Sequence, residues 1–160
     1  MLFSMIDRIV ECEKGKRLAA LKVLSRGEEY LADHFPSFPI MPGVLMLEAM
    51  VQAGAWLMRL SEGFSPPVIL LREVRAVRYG SVVKPGDELR VEVELAGRDG
   101  EDASFKGSGR VGERNAVVGR FVLRRISLAR LDPGLEGAEG DIARFLEGQL
   151  PSLMESGRGF

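Results

Sequence analysis

The chain has 160 residues, 46% of them hydrophobic and 28% charged, which fits one soluble globular domain with its own core and excludes a disordered segment. Lys plus Arg number 22 against 23 Asp plus Glu, and a net charge of −1 excludes the strongly basic surface of a general nucleic-acid binder. A single cysteine, Cys12, excludes an intrachain disulfide and fits a reducing compartment; with a single histidine, His34, it also excludes a zinc centre of the usual His/Cys kind.

The first residues, Met1 to Arg8, do not read as a secretory leader, because they lack a basic start and meet charge at Asp7. Residues 4–13 and 17–25 are apolar-polar runs separated by Lys14-Gly15-Lys16, a pattern that predicts a hairpin. Glu28 to Ala32 predicts a short helical turn. Residues 34–42 hold Pro36, Pro39 and Pro42 and have no period, so they predict an ordered loop.

Gly43 to Glu62 predicts one long helix. Pro42 stands where a helix start tolerates it, and Gly63 follows as a stop. Apolar residues occupy nearly every side, which predicts burial all round. Ala49, Ala53, Gly54 and Ala55 would let a sheet or a second chain approach closely. Ile40 to Met58 is long enough to raise the question of a membrane span. Pro42-Gly43 at its start, with Glu48 and Gln52 inside it, argues instead for the buried helix of a soluble domain.

After Pro66-Pro67 the pattern becomes strands, at 68–79, 88–97, 102–111 and 115–127, separated by turn signals such as Lys84-Pro85-Gly86-Asp87. Val91, Val93 and Leu95 alternate with Glu92 and Glu94, as in a half-buried antiparallel strand. Gly107-Ser-Gly-Arg-Val-Gly112 matches a dinucleotide-binding spacing but opens no helix, so it reads as strand and turn. The order of hairpin, buried helix and meander predicts an α+β fold, one antiparallel sheet wrapped around one helix. From Ala129 the composition shifts: Leu131-Asp132-Pro133-Gly134 reads as a linker. Ile142, Phe145, Leu146 and Leu150 then fall at helical spacing and Pro151 ends the run. The expected division is a main domain over 1–128 and an extension over 129–160, with a short amphipathic helix and a mobile tail at 156–160.

Two side chains stand out chemically. Between Val44 and Met58 the helix has two polar side chains, Glu48 and Gln52, four apart and therefore on one face. Loss of hydration favours a protonated carboxylic acid, which donates a proton near neutral pH, and Gln52 can fix its rotamer. A structural carboxylate paired with an amide or an arginine is the plain alternative. His34, ahead of the proline loop, supplies the natural base near neutral pH, although a lone histidine is more often structural. One base and one acid are what elimination of water needs. Arg72, Arg75 and Arg78 form a basic cluster that would suit an acidic carrier or its phosphate, or simply be a solvated strand edge.

The stretch His34-Phe-Pro-Ser-Phe-Pro39-Ile-Met-Pro-Gly43-Val-Leu-Met-Leu-Glu48-Ala-Met-Val-Gln52 closely resembles the signature of the bacterial 3-hydroxyacyl-acyl-carrier-protein dehydratases of the FabZ type. The likeness continues through Asp7-Arg8-Ile9-Val10, Ala20-Leu21-Lys22 and Lys84-Pro85-Gly86-Asp87 and spans roughly residues 1–128. It implies a hot-dog fold and a cytoplasmic lyase of fatty acid or related acyl-chain biosynthesis. It implies as partner an acyl carrier protein bearing a phosphopantetheine-linked 3-hydroxyacyl chain, and no cofactor or metal. It implies a homodimer with sites at the interface, in the family also assembled as trimers of dimers. On the resemblance His34 and Glu48 are the catalytic pair, drawn from different chains, and glutamate rather than aspartate at 48 favours the plain dehydratase over the dehydratase-isomerase branch. Gly43, Val44, Gln52, Pro39 and Met41 are the expected substrate-binding positions, with Gly43 offering an amide to the thioester carbonyl. Arg72, Arg75 and Arg78 are expected to dock the carrier. Asp33, Ser37 and Phe38 depart from the pattern, which bears on substrate preference and carrier docking. The rival readings are another hot-dog thioester enzyme, a thioesterase or hydratase, and a non-catalytic acyl-carrier binding protein.

Overall fold

The computed structural model describes residues 3–154; the expected tail at 156–160 lies outside them. Strands β1 (Arg8–Glu13) and β2 (Arg17–Val23) form the expected hairpin, and a single turn of 3-10 helix follows at Glu29–Leu31. Helix α1 runs over Gly43–Glu62, as its flanking residues predict. Pro42 has no amide hydrogen to lose, and Gly63 takes φ 94° while its N–H closes on Arg59 O at 2.8 Å. Strands β3 (Val68–Tyr79), β4 (Glu88–Asp99), β5 (Asp102–Val111) and β6 (Arg114–Ile126) complete one antiparallel 6-stranded sheet in the order β1-β2-β4-β5-β6-β3.

The sheet curls around α1. Register shifts interrupt five places: Ile9/Glu11 in β1, Leu71/Glu73 and Val74/Ala76 in β3, Leu95/Gly97 in β4, and Asn115/Val117 in β6 opposite Gly109 and Arg110. Each extra residue bends its strand and adds twist. Missing side chains set the helix close to the sheet. A Cβ on Gly107 would stand 2.8 Å from Met50 Sδ, and one on Gly54 3.0 Å from Leu123 Cδ1. Phe105 and Phe121 stack beneath them with ring centroids 5.6 Å apart. Gly54 thus does what the sequence suggests of the small residues of α1, letting β5 and β6 approach.

Burial of α1 is nearly all round over residues 49–58, where Gln52 alone is not fully buried, and lapses toward the helix start. Met50, Ala53, Gly54, Leu57 and Met58 are buried against the sheet, whereas Val44 is 67% exposed. The opposite face carries Glu48, Gln52, Ala55 and Arg59 at helical spacing. At the sheet's far edge β3 pairs only with β6 and leaves Leu70, Leu71, Val74 and Tyr79 exposed.

The C-terminal region is more ordered than a linker and a short helix. A single turn, α2 (Leu128–Leu131), is capped by the Ser127 side chain, and Asp132 Oδ1 accepts from Gly134 N–H at 2.9 Å. Helix α3 then runs over Glu136–Met154, with Pro151 inside it instead of ending it. A proline so near the terminus removes one hydrogen bond from a turn whose groups water can satisfy, so the helix continues. Leu146, Leu150, Leu153 and Met154 pack on the core.

Candidate active site

The loop carrying His34 leads into the start of α1, the helix that carries Glu48 and Gln52. The loop carrying His34 is held at both ends: Phe38 N–H donates to Phe35 O at 2.8 Å, and Met41 N–H donates to Val83 O at 2.8 Å. Phe35 adopts φ 51°, a conformation that bulky residues avoid, so the loop stores strain beside the histidine. His34 is partly buried, with its ring edge-on to Phe35 at 4.6 Å between centroids. Phe35 and Phe38 are largely exposed and flank it with apolar surface.

Glu48 is half-buried on the outward face of α1. Gln52 Nε2 donates to Glu48 Oε1 at 2.8 Å and to Phe3 O at 3.0 Å, while Gln52 Oε1 accepts from Met5 N–H at 2.8 Å. The sequence suggested that Gln52 fixes the glutamate; the structure adds that the N-terminal segment fixes Gln52. Backbone partners leave no side-chain signature, which is why Phe3 and Met5 escaped the motif.

The first amides of α1 have no intrahelical acceptor, and the positive end of the helix dipole lies there. Gly43 and Val44 bring those amides to the surface beside the loop. Tyr79 packs on Gly43 so closely that a Cβ there would lie 3.0 Å from the phenol ring. This tyrosine, at the end of β3, was not legible as a neighbour. The other expected positions are dispersed. Pro39 lies with Pro36 and Pro85 along a separate cleft, and Met41 is a buried core residue.

The arginines of β3 do not form one free cluster. Arg72 is ion-paired with Asp102, which Arg124 Nε also holds at 2.6 Å. Arg75 Nε lies 3.4 Å from Glu73 Oε1. Arg78 is exposed and makes no hydrogen bond or ion pair among the described residues. No described helix is long and apolar enough to cross a membrane.

Residues 1–118 match the family model described as a FabA-like domain. The 3-hydroxyacyl-acyl-carrier-protein dehydratase FabZ of Caldicellulosiruptor bescii is 44% identical over 116 residues, covering 72% of this chain and 76% of that protein. FabZ of a Polaromonas species is 43% identical over 128 residues, covering 78% and 88%. Among solved structures, the dehydratase heterocomplex ApeI:P of Xenorhabdus doucetiae matches with a TM-score of 0.67 at 18% identity, over 83% of this chain and 90% of that one. The fluoroacetyl-CoA-specific thioesterase FlK matches with a TM-score of 0.61 at 17% identity, over 81% and 98%. At such identities these structures speak for the fold alone, and that fold is the hot-dog.

Proposed function

The chain belongs to the FabA-like family of FabZ-type dehydratases, and on that premise we propose that it dehydrates 3-hydroxyacyl-acyl-carrier-protein in fatty acid biosynthesis. The observation that carries the reading is Glu48, held by Gln52 on the outward face of a largely apolar helix. Glu48 gives its proton to the departing C3 hydroxyl. His34 takes the proton from C2. The C2–H and C3–O bonds break, the C2–C3 double bond forms, and water leaves. The amides at Gly43 and Val44 receive the thioester oxygen as negative charge develops on it. The substrate has the 3R configuration and the product is the trans-2-enoyl thioester.

The active unit is a dimer in which His34 works with the Glu48 of a second copy. Two features support this. No hydrogen bond or ion pair joins His34 to Glu48 among the described residues. The β3 edge, with exposed Leu70, Leu71 and Val74, also ends at the Tyr79 that packs on Gly43, so a chain pairing there would reach the site. Arg78 stands at that edge for contact with the carrier's acidic surface.

Mass spectrometry of a 3-hydroxyacyl-carrier protein after incubation tests the reaction. Loss of one water per acyl chain is the expected result. Release of the free acid would make the protein a thioesterase, and an unchanged substrate would make it a binder.

A further inference from the structure

Helix α3 lies wholly outside residues 1–118 that match the family. It forms one wall of a cleft of about 510 Å³, whose other walls are the N-terminal segment and the outward face of α1. Phe3, Trp56, Phe145, Leu146 and Leu153 supply apolar wall, Gln52, Gln149 and Ser152 add polar groups, and Arg59 is the cationic side chain among its described lining. Asp7 lies at the rim, already engaged by Lys22 Nζ at 3.2 Å and Val23 N–H at 2.7 Å.

Arg59 has less than its share of partners. Its Nη2 donates to Pro67 O at 3.1 Å, its Nε is buried with no partner, and its guanidinium carbon lies 5.4 Å from the centroid of the Trp56 ring. Burial, and then the charge of Arg125, lower its pKa to about 10, so it is still a cation at neutral pH. Arg125 compounds the imbalance. Its Nη1 donates to Gly63 O and Pro66 O, but its Nε and Nη2 are buried without hydrogen bonds, and Glu62 Oε2 lies 4.0 Å from Nη2. Glu62 is also ion-paired with Arg98. Arg98 and Arg125 thus share the Glu62 carboxylate, and Arg59, the one of the three that lines the cleft, has no carboxylate partner among the described residues. Buried cations are unfavourable unless paired, and the missing partner is an anion.

We propose that the cleft under α3 binds the carboxylate end of an apolar chain, with the Arg59 guanidinium on the carboxylate and the chain along Trp56, Phe145 and Leu146. Two sources offer that chemistry. One is a free fatty carboxylate. The other is the far end of a carrier-bound acyl chain that terminates in a second carboxylate. Arg59 lies on the same helix face as Glu48, about 16 Å farther along the axis, within reach of a medium-length chain. The second source rests on the dehydratase reading; binding itself does not.

Trp56 is the protein's one tryptophan, so its emission reports this cleft. The full chain is titrated with decanoate and with decanol, its uncharged counterpart. Decanoate should give a saturable change, weakened about tenfold or more in Arg59→Met, while decanol binds both proteins alike. Circular dichroism checks that Arg59→Met is folded. A second variant, Phe145→Asp, changes a half-exposed residue of α3 and leaves Arg59 in place. It should also abolish decanoate binding, because it sets a competing carboxylate at the cleft. No saturable change in the wild type, or equal decanoate affinity in folded wild type and Arg59→Met, overturns the proposal. Turnover separates the sources. If a 3-hydroxyacyl-carrier substrate with a terminal carboxylate is preferred in kcat/KM over its methyl-ended counterpart, and Arg59→Met removes that preference, the ligand is the substrate's own tail. If decanoate binds and both substrates turn over alike, it is a free ligand. A protein that binds decanoate and dehydrates nothing keeps the site and loses the dehydratase reading.

Discussion

Gln52 is an amide whose two ends are told apart by what they touch. Met5 N–H can only donate, so it must face Gln52 Oε1, and the NH₂ end is thereby turned to Glu48 Oε1 and Phe3 O. One oxygen of Glu48 is tied as an acceptor, and in the proposed mechanism the other delivers the proton to the leaving hydroxyl. Glu48→Gln keeps the shape and removes that proton. Its turnover should fall about 100-fold or more, the scale of one lost acid-base group, with an unchanged melting temperature. Turnover close to wild type in a quantitative dehydration assay would remove Glu48 from the mechanism.

Strands and helices show where pattern suffices and where it does not. At β5, Asp102 accepts from Arg124 Nε at 2.6 Å and Nη2 at 3.0 Å and also pairs with Arg72, bracing β3, β5 and β6 together. The Arg124 hydrogen bonds, outweighing the opposing effect of burial and aided by the charges of Arg124 and Arg72, hold the Asp102 carboxyl below its ordinary range. A carboxyl lowered by folding stabilises the protein above the unfolded-state value, and that stabilisation is lost as pH falls through the lower folded value. Asp102→Asn should therefore melt below wild type by a constant margin from pH 8 to pH 5. In a thermal-melt series the margin should close below about pH 4. Helix α1 was legible to the residue because Pro42 and Gly63 punctuate it, and the alternation of β4 was legible because one face is buried. The length of α3 was not, because Pro151 is a strong stop in isolation and a weak one within the last turn. The motif pointed to His34, Glu48 and Gln52, and the structure shows the last two hydrogen-bonded. Arg59 stood in the same sequence at the spacing of that face and was passed over, since its significance arises only when α3 closes over it.

For the assembled protein, the proposed pairing of two chains makes a numerical demand. In a dimer of His34→Ala with Glu48→Ala, one site has lost both residues and the other neither. Random mixing yields half heterodimers, each with one intact site, so about a quarter of wild-type activity should return from two nearly inactive proteins. Native mass spectrometry confirms the exchange. Mixed dimers without activity would place both residues of each site in one chain.

The strand order also bears on how the protein is made. Strand β3 (Val68–Tyr79) has one neighbour in the sheet, β6 (Arg114–Ile126), the last strand of the sheet in the chain. The inner face of α1 likewise waits for Gly107, Phe121 and Leu123. A polypeptide leaves the ribosome N-terminus first, at roughly 5–20 residues per second, so β3 spends several seconds without its partner strand and α1 with only part of its sheet. The hairpin of β1 and β2 can form early and β4 can join it against α1, but the core is incomplete until β6 is released. The interval of greatest hazard therefore falls before the molecule is complete, and holding a half-made chain apart from its neighbours is a task for chaperones rather than for its own packing.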